Sequence, residues 1–315
     1  KRKDRFYAEA KVTINYKVYR DYRVFDKQSE AYLWIEQRED EMRAGFTDNA
    51  DGRRTLKETL IRFRDEELGR YRSKKMVKSR IDWFLTHNYI NTNLKLTQIT
   101  PKIIHRYIKM RQKEVSNSTI NRDNNILRAI FTCCVKEWEW LKESPFEKIR
   151  ILPNPEPRNR RISPKEEALI LEYLEFNNAP PANRKQIMAT IFLLALETAM
   201  RLGEICAIKW KEVNFKQRYI TLPITKNGTE RQIPLSTRSI ELLKLMKGID
   251  ETNVFPITSQ SASKLFTKSV RTIGINDLQF HDTRHEACTR LARKLHVLDL
   301  ARMTGHRDTK SLMIY

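Results

Sequence analysis

The period of apolar positions changes along this chain, and each change predicts a different element. From Tyr16 to Val24, Tyr16, Val18, Tyr22 and Val24 alternate with charged residues, the period-two pattern of a β-strand. Ser29 then caps a predicted helix through Ala31, Leu33, Trp34, Ile35 and Met42, which Gly45 stops. Residues 46–54 are polar and turn-rich, a linker. From 55 to 150 the period is helical throughout. Thr55-Leu56-Lys57-Glu58 is a capping box followed by Leu60 and Phe63. Thr100-Pro101 opens a second helix with proline at its first position. Ser118 opens a third, carrying Ile120, Leu127, Ile130, Phe131, Cys134 and Trp138.

Pro153, Pro155 and Pro157 break this pattern and make the next stretch stiff and extended. The arginines that follow, Arg158, Arg160 and Arg161, suit a strap across a phosphate backbone. Ser163-Pro164-Lys165-Glu166 restarts a helix with a cap, a first-position proline and a box glutamate. Beyond it the chain reads as mostly helical, with one hairpin of strands at 218–223 and 231–235 joined by a Lys226-Asn227-Gly228 turn. The predicted fold is mainly α with small β elements. It divides into a β-sheet/helix module at 1–50, an all-helical region at 55–150, a linker at 151–162 and a mixed, mostly α domain with a small sheet at 163–315.

Composition narrows the partners. With 315 residues the length favours two or three domains. Lys plus Arg number 60 against 39 Asp plus Glu, a net charge of +21, which calls for a polyanion. Nucleic acid leads and an anionic membrane surface is second. The longest apolar run, Ile187 to Met200, is too short to span a bilayer and is broken by Glu197. With neither a lipidation motif nor a signal peptide, the sequence predicts a cytoplasmic protein without a membrane partner. A chain that begins at Lys1 rather than Met reads as a fragment. Cys133, Cys134, Cys206 and Cys288 form no CxxC pair, so reduced thiols are expected in place of disulfides or a zinc site. Lys74 and Lys75, in the run from Arg70 to Lys75, are expected on a DNA-contacting helix face, against the plainer reading of a solvated one.

Chemistry concentrates in the C-terminal half, though no single feature decides it. Arg201 follows the apolar run, and Glu204 can orient it; an ordinary surface pair would look the same. His281 and Arg284 share a helical face, where an imidazole and a cation can bind a phosphate oxygen and move a proton. Gly305-His306 falls between two short helical patterns, which would put His306 near a helix N-terminus facing an anion. Tyr315, beside Leu312, Met313 and Ile314, reads by itself as a core residue.

Taken in order, Arg201, Lys226, His281, Arg284, His306 and Tyr315 resemble the signature of the tyrosine recombinase (phage integrase) family. The first box is similar to Thr198–Ile205, the hairpin lysine to Lys226, the second box to His281-Asp282-Thr283-Arg284-His285. The third is similar to Gly305-His306 with a tyrosine nine residues after the histidine. Thr283 and Thr304 stand where the family often has leucine. The resemblance covers residues 163–315; 55–150 resembles the family's core-site-binding domain, and 1–45 more weakly its arm-site-binding domain. It implies a site-specific recombinase or integrase that cuts and rejoins DNA through a 3′-phosphotyrosine link, without metal or other cofactor. Tyr315 would be the nucleophile, His281 the proton acceptor, Lys226 the general acid, and Arg201, Arg284 and His306 the stabilisers of transition-state charge, with Glu204 and His285 in support. It further implies a clamp around double-stranded DNA sites of core and arm type and a tetramer on two sites, from a monomer or dimer when free. A segment after the tyrosine would dock on a neighbouring protomer, and accessory bending or directionality proteins would assist. A topoisomerase of type IB chemistry and a non-catalytic DNA-binding regulator on the same fold are the alternatives; a regulator would be expected to have lost part of the catalytic set, which is complete here.

Overall fold

The computed structural model describes residues 5–14, 17–44, 54–156, 158–223, 230–306 and 312. The chain forms two compact units, one ending at Glu156 and the other beginning at Pro157.

The first unit opens with strands β1 (Phe6–Ile14) and β2 (Lys17–Phe25), paired antiparallel from Phe6 opposite Phe25 to Ile14 opposite Lys17. Ala8, Ala10 and Val12 on one face of β1 are buried, and helix α1 (Gln28–Ala44) covers the sheet. The opposite face leaves Tyr7, Val18, Tyr22 and Val24 exposed. The strand period was legible around Tyr22; β1 was not predicted, because Ala8 and Ala10 are weak apolar signals. Helix α1 begins ahead of Ser29, so that residue lies inside the first turn and does not cap it.

Four helices follow: α2 (Leu56–Glu66), α3 (Lys74–Thr86), α4 (Pro101–Gln112) and α5 (Asn117–Lys136). The Thr55 box forms as expected: its hydroxyl accepts from the Glu58 amide at 3.2 Å and the Glu58 carboxylate accepts from the Thr55 amide at 2.8 Å. Helix α5 starts right after Ser116, so Ser118 lies inside its first turn. Leu60, Phe63, Ile81, Ile104, Tyr107, Leu127 and Phe131 form a closed core. Inside it Asp123 meets Arg80 at 2.9 Å and Arg111 at 3.6 Å, which offsets the cost of a buried carboxylate. The α1 layer is tied on by Arg106 to Asp40 at 2.8 Å and Asn91 to Glu41 at 2.7 Å.

The second unit is built around α7 (Arg184–Thr198), whose residues from Ile187 to Leu196 are mostly buried. An all-round apolar helix belongs in a domain centre. Around it lie α6 (Pro164–Tyr173), α9 (Thr237–Leu245), α10 (Ser259–Thr272) and α11 (Asp282–Ala292). The short helix α8 (Leu202–Ile205) leads to a three-stranded antiparallel sheet of β3 (Val213–Asn214), β4 (Tyr219–Leu222) and β5 (Arg231–Pro234). Helix α12 (Val297–Thr304) packs on β5 and α11. The hairpin strands fall where predicted; β3, only two residues long, left no periodic signal. The turn that carries Lys226 and the segment that carries Tyr315 lie outside the described residues. No described helix is long and apolar enough to cross a membrane.

Candidate active site

The site grows from three helix ends. Helix α7 stops because Ala199 adopts a left-handed conformation, φ 53°, and the chain turns so that Arg201 becomes the cap residue of α8. Glu204, at the third position of α8, accepts from the Arg201 amide at 2.9 Å and from its Nη1 at 2.9 Å. The same carboxylate accepts from Nη2 of Arg231, the first residue of β5, at 2.7 Å. The pair is thus no ordinary surface contact: Glu204 retains 14% of its side-chain exposure and Arg231 8%. Desolvation raises the Glu204 carboxyl, but the Arg201 amide and the Arg231 and Arg201 cations outweigh it, and the group lies below the usual range.

Arg284, in the first turn of α11, is the fixed centre. Its Nη1 donates to the Ala199 carbonyl at 2.6 Å and its Nη2 to the Thr304 carbonyl at 2.6 Å, so it joins the end of α7 to the end of α12. At 3% exposure it is a buried cation, and burial and then Arg201 disfavour its charge. His281 is the residue ahead of α11. The residue is exposed, yet desolvation, then Arg284 and Arg201, bring its pKa below the ordinary value.

Helix α12 ends at Gly305, whose φ of 72° suits the residue without a side chain. His306 follows directly. It therefore sits beyond a helix C-terminus; the segment whose start was expected to hold it lies outside the described residues. Its Nε2 lies 3.5 Å from Arg284 Nη2, and its Nδ1 2.7 Å from the Thr304 hydroxyl. Burial and then Arg284, Arg201 and Arg231 hold His306 down to about 4.

The structure therefore brings Arg201, Glu204, His281, Arg284 and His306 to one place. His285, half-buried on the next position of α11, is pushed below its ordinary pKa first by burial and then by Arg161, with Asp282 and Glu286 opposing. Sequence reasoning missed Arg231 and undervalued Thr304. The signal for Arg231 was its place between Lys226 and the apolar Ile233; for Thr304, a hydroxyl two residues before a histidine.

The basic strap is different from what its composition suggested. Arg158 pairs with Asp277 at 2.8 Å and Asp282 at 3.0 Å, Arg161 with Glu286 at 2.6 Å, and Arg160 with Glu166. These guanidiniums hold the entry strand onto its own unit, instead of standing unpaired for phosphate. Residues 152–154 are held by the first unit, through Asn117 and Asn121. Lys74 and Lys75 are exposed at the start of α3. The ligand atoms of Glu67, Cys133 and Glu137 lie within 4.8 Å of one another, but Arg70 meets Glu67 at 2.8 Å and Glu137 at 2.7 Å, so both carboxylates already share a cation. All four cysteines are free.

A model of the phage integrase family matches residues 160–315, and one of the phage integrase N-terminal domain matches residues 53–153. An integrase/recombinase of Haemophilus influenzae is 32% identical over 76% of this chain and 79% of its own length. A shufflon-specific DNA recombinase of Escherichia coli is 31% identical over 71% of this chain and 55% of its own. Among solved structures, a lambda integrase dimer bound to a COC′ core site superposes with a TM-score of 0.71 at 19% identity, covering 96% of this chain and 93% of that one. The Tn1549 transposon integrase in complex with transposon right end DNA gives 0.68 at 17% identity, covering 83% and 95%.

Proposed function

This chain belongs to the phage integrase family and is a DNA cleaving and rejoining enzyme, and from that premise we propose that it is the site-specific recombinase of a mobile element, acting in integration, excision or transposition. The observation that carries the reading is the charge balance of the pocket. Arg201, Arg231 and Arg284 converge around His306, and Glu204 is paired with the first two. Burying that much positive charge is costly unless an anion enters, and a phosphodiester has the matching charge and geometry.

The roles follow from the chemistry. The Tyr315 phenol attacks phosphorus, and its proton passes to His281, which is neutral at pH 7 because its pKa is depressed. Arg201 and Arg284 donate to the non-bridging oxygens as their negative charge grows, and His306 adds a donor once the bound phosphate lets its Nε2 take a proton. The bond from phosphorus to the 5′-oxygen breaks, and Lys226 gives that oxygen its proton. The strand is left as a 3′-phosphotyrosyl ester with a free 5′-hydroxyl. One phosphoester replaces another, so rejoining needs no nucleotide. Glu204 holds Arg201, and His285 supports α11.

Its partner is double-stranded DNA at core sites, contacted by Lys74, Lys75 and the open edges of Arg158, Arg160 and Arg161, with arm sites read by the 1–50 module. The proposed domains are that module, the core-site domain at 55–150, the joining strand at 151–162 and the catalytic domain at 163–315. A synaptic tetramer, accessory bending or directionality proteins and a place in the cytoplasm beside the nucleoid complete the reading.

The test uses nicked duplexes from the DNA bordering the gene. The wild-type chain should form a covalent adduct on a denaturing gel, and Tyr315→Phe should form none. An adduct with the Phe variant would remove Tyr315 as nucleophile; none with the wild type would remove the recombinase reading.

A further inference from the structure

Arg231 lies at the pocket, and no part of the reaction has been assigned to it. It starts β5, opposite Leu222 of β4, five residues after Lys226 in the chain. Its side chain is 8% exposed, and its Nη2 meets Glu204 Oε2 at 2.7 Å. Glu204 in turn meets Arg201 Nη1 at 2.9 Å. The remaining guanidinium nitrogens, Nε and Nη1, are buried without a hydrogen-bond partner among the described residues. Unpaired buried donors of a cation are costly, and such a group persists where the surrounding structure dictates it.

The surroundings do so from two directions. Strand β5 packs against α12, and a Cβ on Gly305 would fall 2.7 Å from Arg231 Nη1. Glycine is favoured at 305 by its φ of 72°, and a side chain there would also push the Arg231 guanidinium from its place. One side chain then touches two parts of the site: the carboxylate that holds Arg201 and the residue next to His306.

We propose that Arg231 is a positioning residue of the cleavage reaction, one that locks Glu204 against Arg201 and sets the Gly305–His306 segment, so that both phosphate-binding groups stand ready before DNA enters. The inference rests on the recombinase reading. It requires charge at position 231, since a neutral side chain of the same bulk would leave Glu204 free to swing from Arg201. A single contact from Nη2 makes the bond, so an ammonium can stand in for it.

The experiment compares Arg231→Lys with Arg231→Met in the full chain on a nicked duplex from the DNA bordering its gene, in single-turnover cleavage. DNA affinity and the thermal midpoint are measured alongside. The Lys variant should cleave within about 3-fold of wild type. The Met variant should be slower by about 10-fold or more, with DNA affinity changed less than about 2-fold, as expected when an interaction matters mainly in the transition state. Combining Arg231→Met with Glu204→Gln should cost little beyond either change alone, because the two groups act as one unit. Equal rates for Lys and Met, or losses that multiply in the double variant, would overturn the proposal. If the Met variant loses its cooperative melt, Arg231→Gln replaces it, with Lys again expected to be faster and equality again fatal. A wild-type chain that forms no adduct overturns the recombinase reading and this inference with it.

Discussion

Two groups of arginines in the second unit teach different lessons. In the strap and the helices beneath it, Arg158, Arg160, Arg161 and Arg290 meet Asp277, Asp282, Glu166, Glu167 and Glu286. Each cation is matched and its contacts run within the unit. In the pocket, Arg201 and Arg231 share Glu204, and Arg284 donates to the carbonyls of Ala199 and Thr304, which remove none of its charge. Each arginine adds the same single positive charge to the chain, whichever group it belongs to. Only the second leaves a field that an incoming phosphate can neutralise. Net charge therefore locates a class of partner, and the local ratio of carboxylate to guanidinium locates the site.

The largest effect that would break this contrast is in catalysis. Arg201→Gln should slow adduct formation about 100- to 1,000-fold, the usual cost of removing one donor to a developing oxyanion, while Arg158→Gln should change it less than about 3-fold. Similar losses for the two would erase the distinction.

Stability comes next. Glu286 retains 5% side-chain exposure and holds Arg161, Arg290 and the Ile162 amide. Glu286→Gln should cost about 1–2 kcal/mol, in line with hydrogen bonds to charged groups, and lower the thermal midpoint by roughly 2–8 °C. An unchanged midpoint would mean that the strap pairs are incidental.

The pH dependence separates the two regions by window. His306 is held down to about 4 against an ordinary 6.5, so between these values the unfolded chain binds the extra proton. Its contribution to stability is present above pH 6.5 and is lost as pH falls toward 4. Glu286 and Glu166 are held down to about 2 from 4.5, so theirs is lost only in that lower range. His306→Gln should flatten the thermal midpoint between pH 6.5 and 4, and Glu286→Gln should act below 4.5. The same slope in His306→Gln and wild type would count against the buried, cation-flanked imidazole.

The smallest effect is in binding. Lys74→Ala and Lys75→Ala should each reduce the salt dependence of DNA affinity by about one counterion, the signature of a lost phosphate contact. Arg158→Gln, already paired, should reduce it by less.

The sequence by itself determined what depends on local rules. The Thr55 and Ser163 boxes, the proline starts of α4 and α6, the buried character of α7 and the strands around Ile220 and Ile233 all follow from period, caps and side-chain type. It also determined the order of the pocket residues, since a spaced set of chemical types is a one-dimensional fact. Tertiary structure decided which charges remain unmatched. Arg158 and Arg201 look alike in a string; one lies beside Asp277 and Asp282 and the other beside Arg231 and Arg284, and those neighbours are 30 to more than 100 positions away. It decided that Gly305 would make room for Arg231, because that approach depends on α12 packing on β5. Caps and periods are set within a turn or two of the chain. Ion pairing and packing are set by distance in space, which the chain reaches only when helices from its distant parts close on a common core.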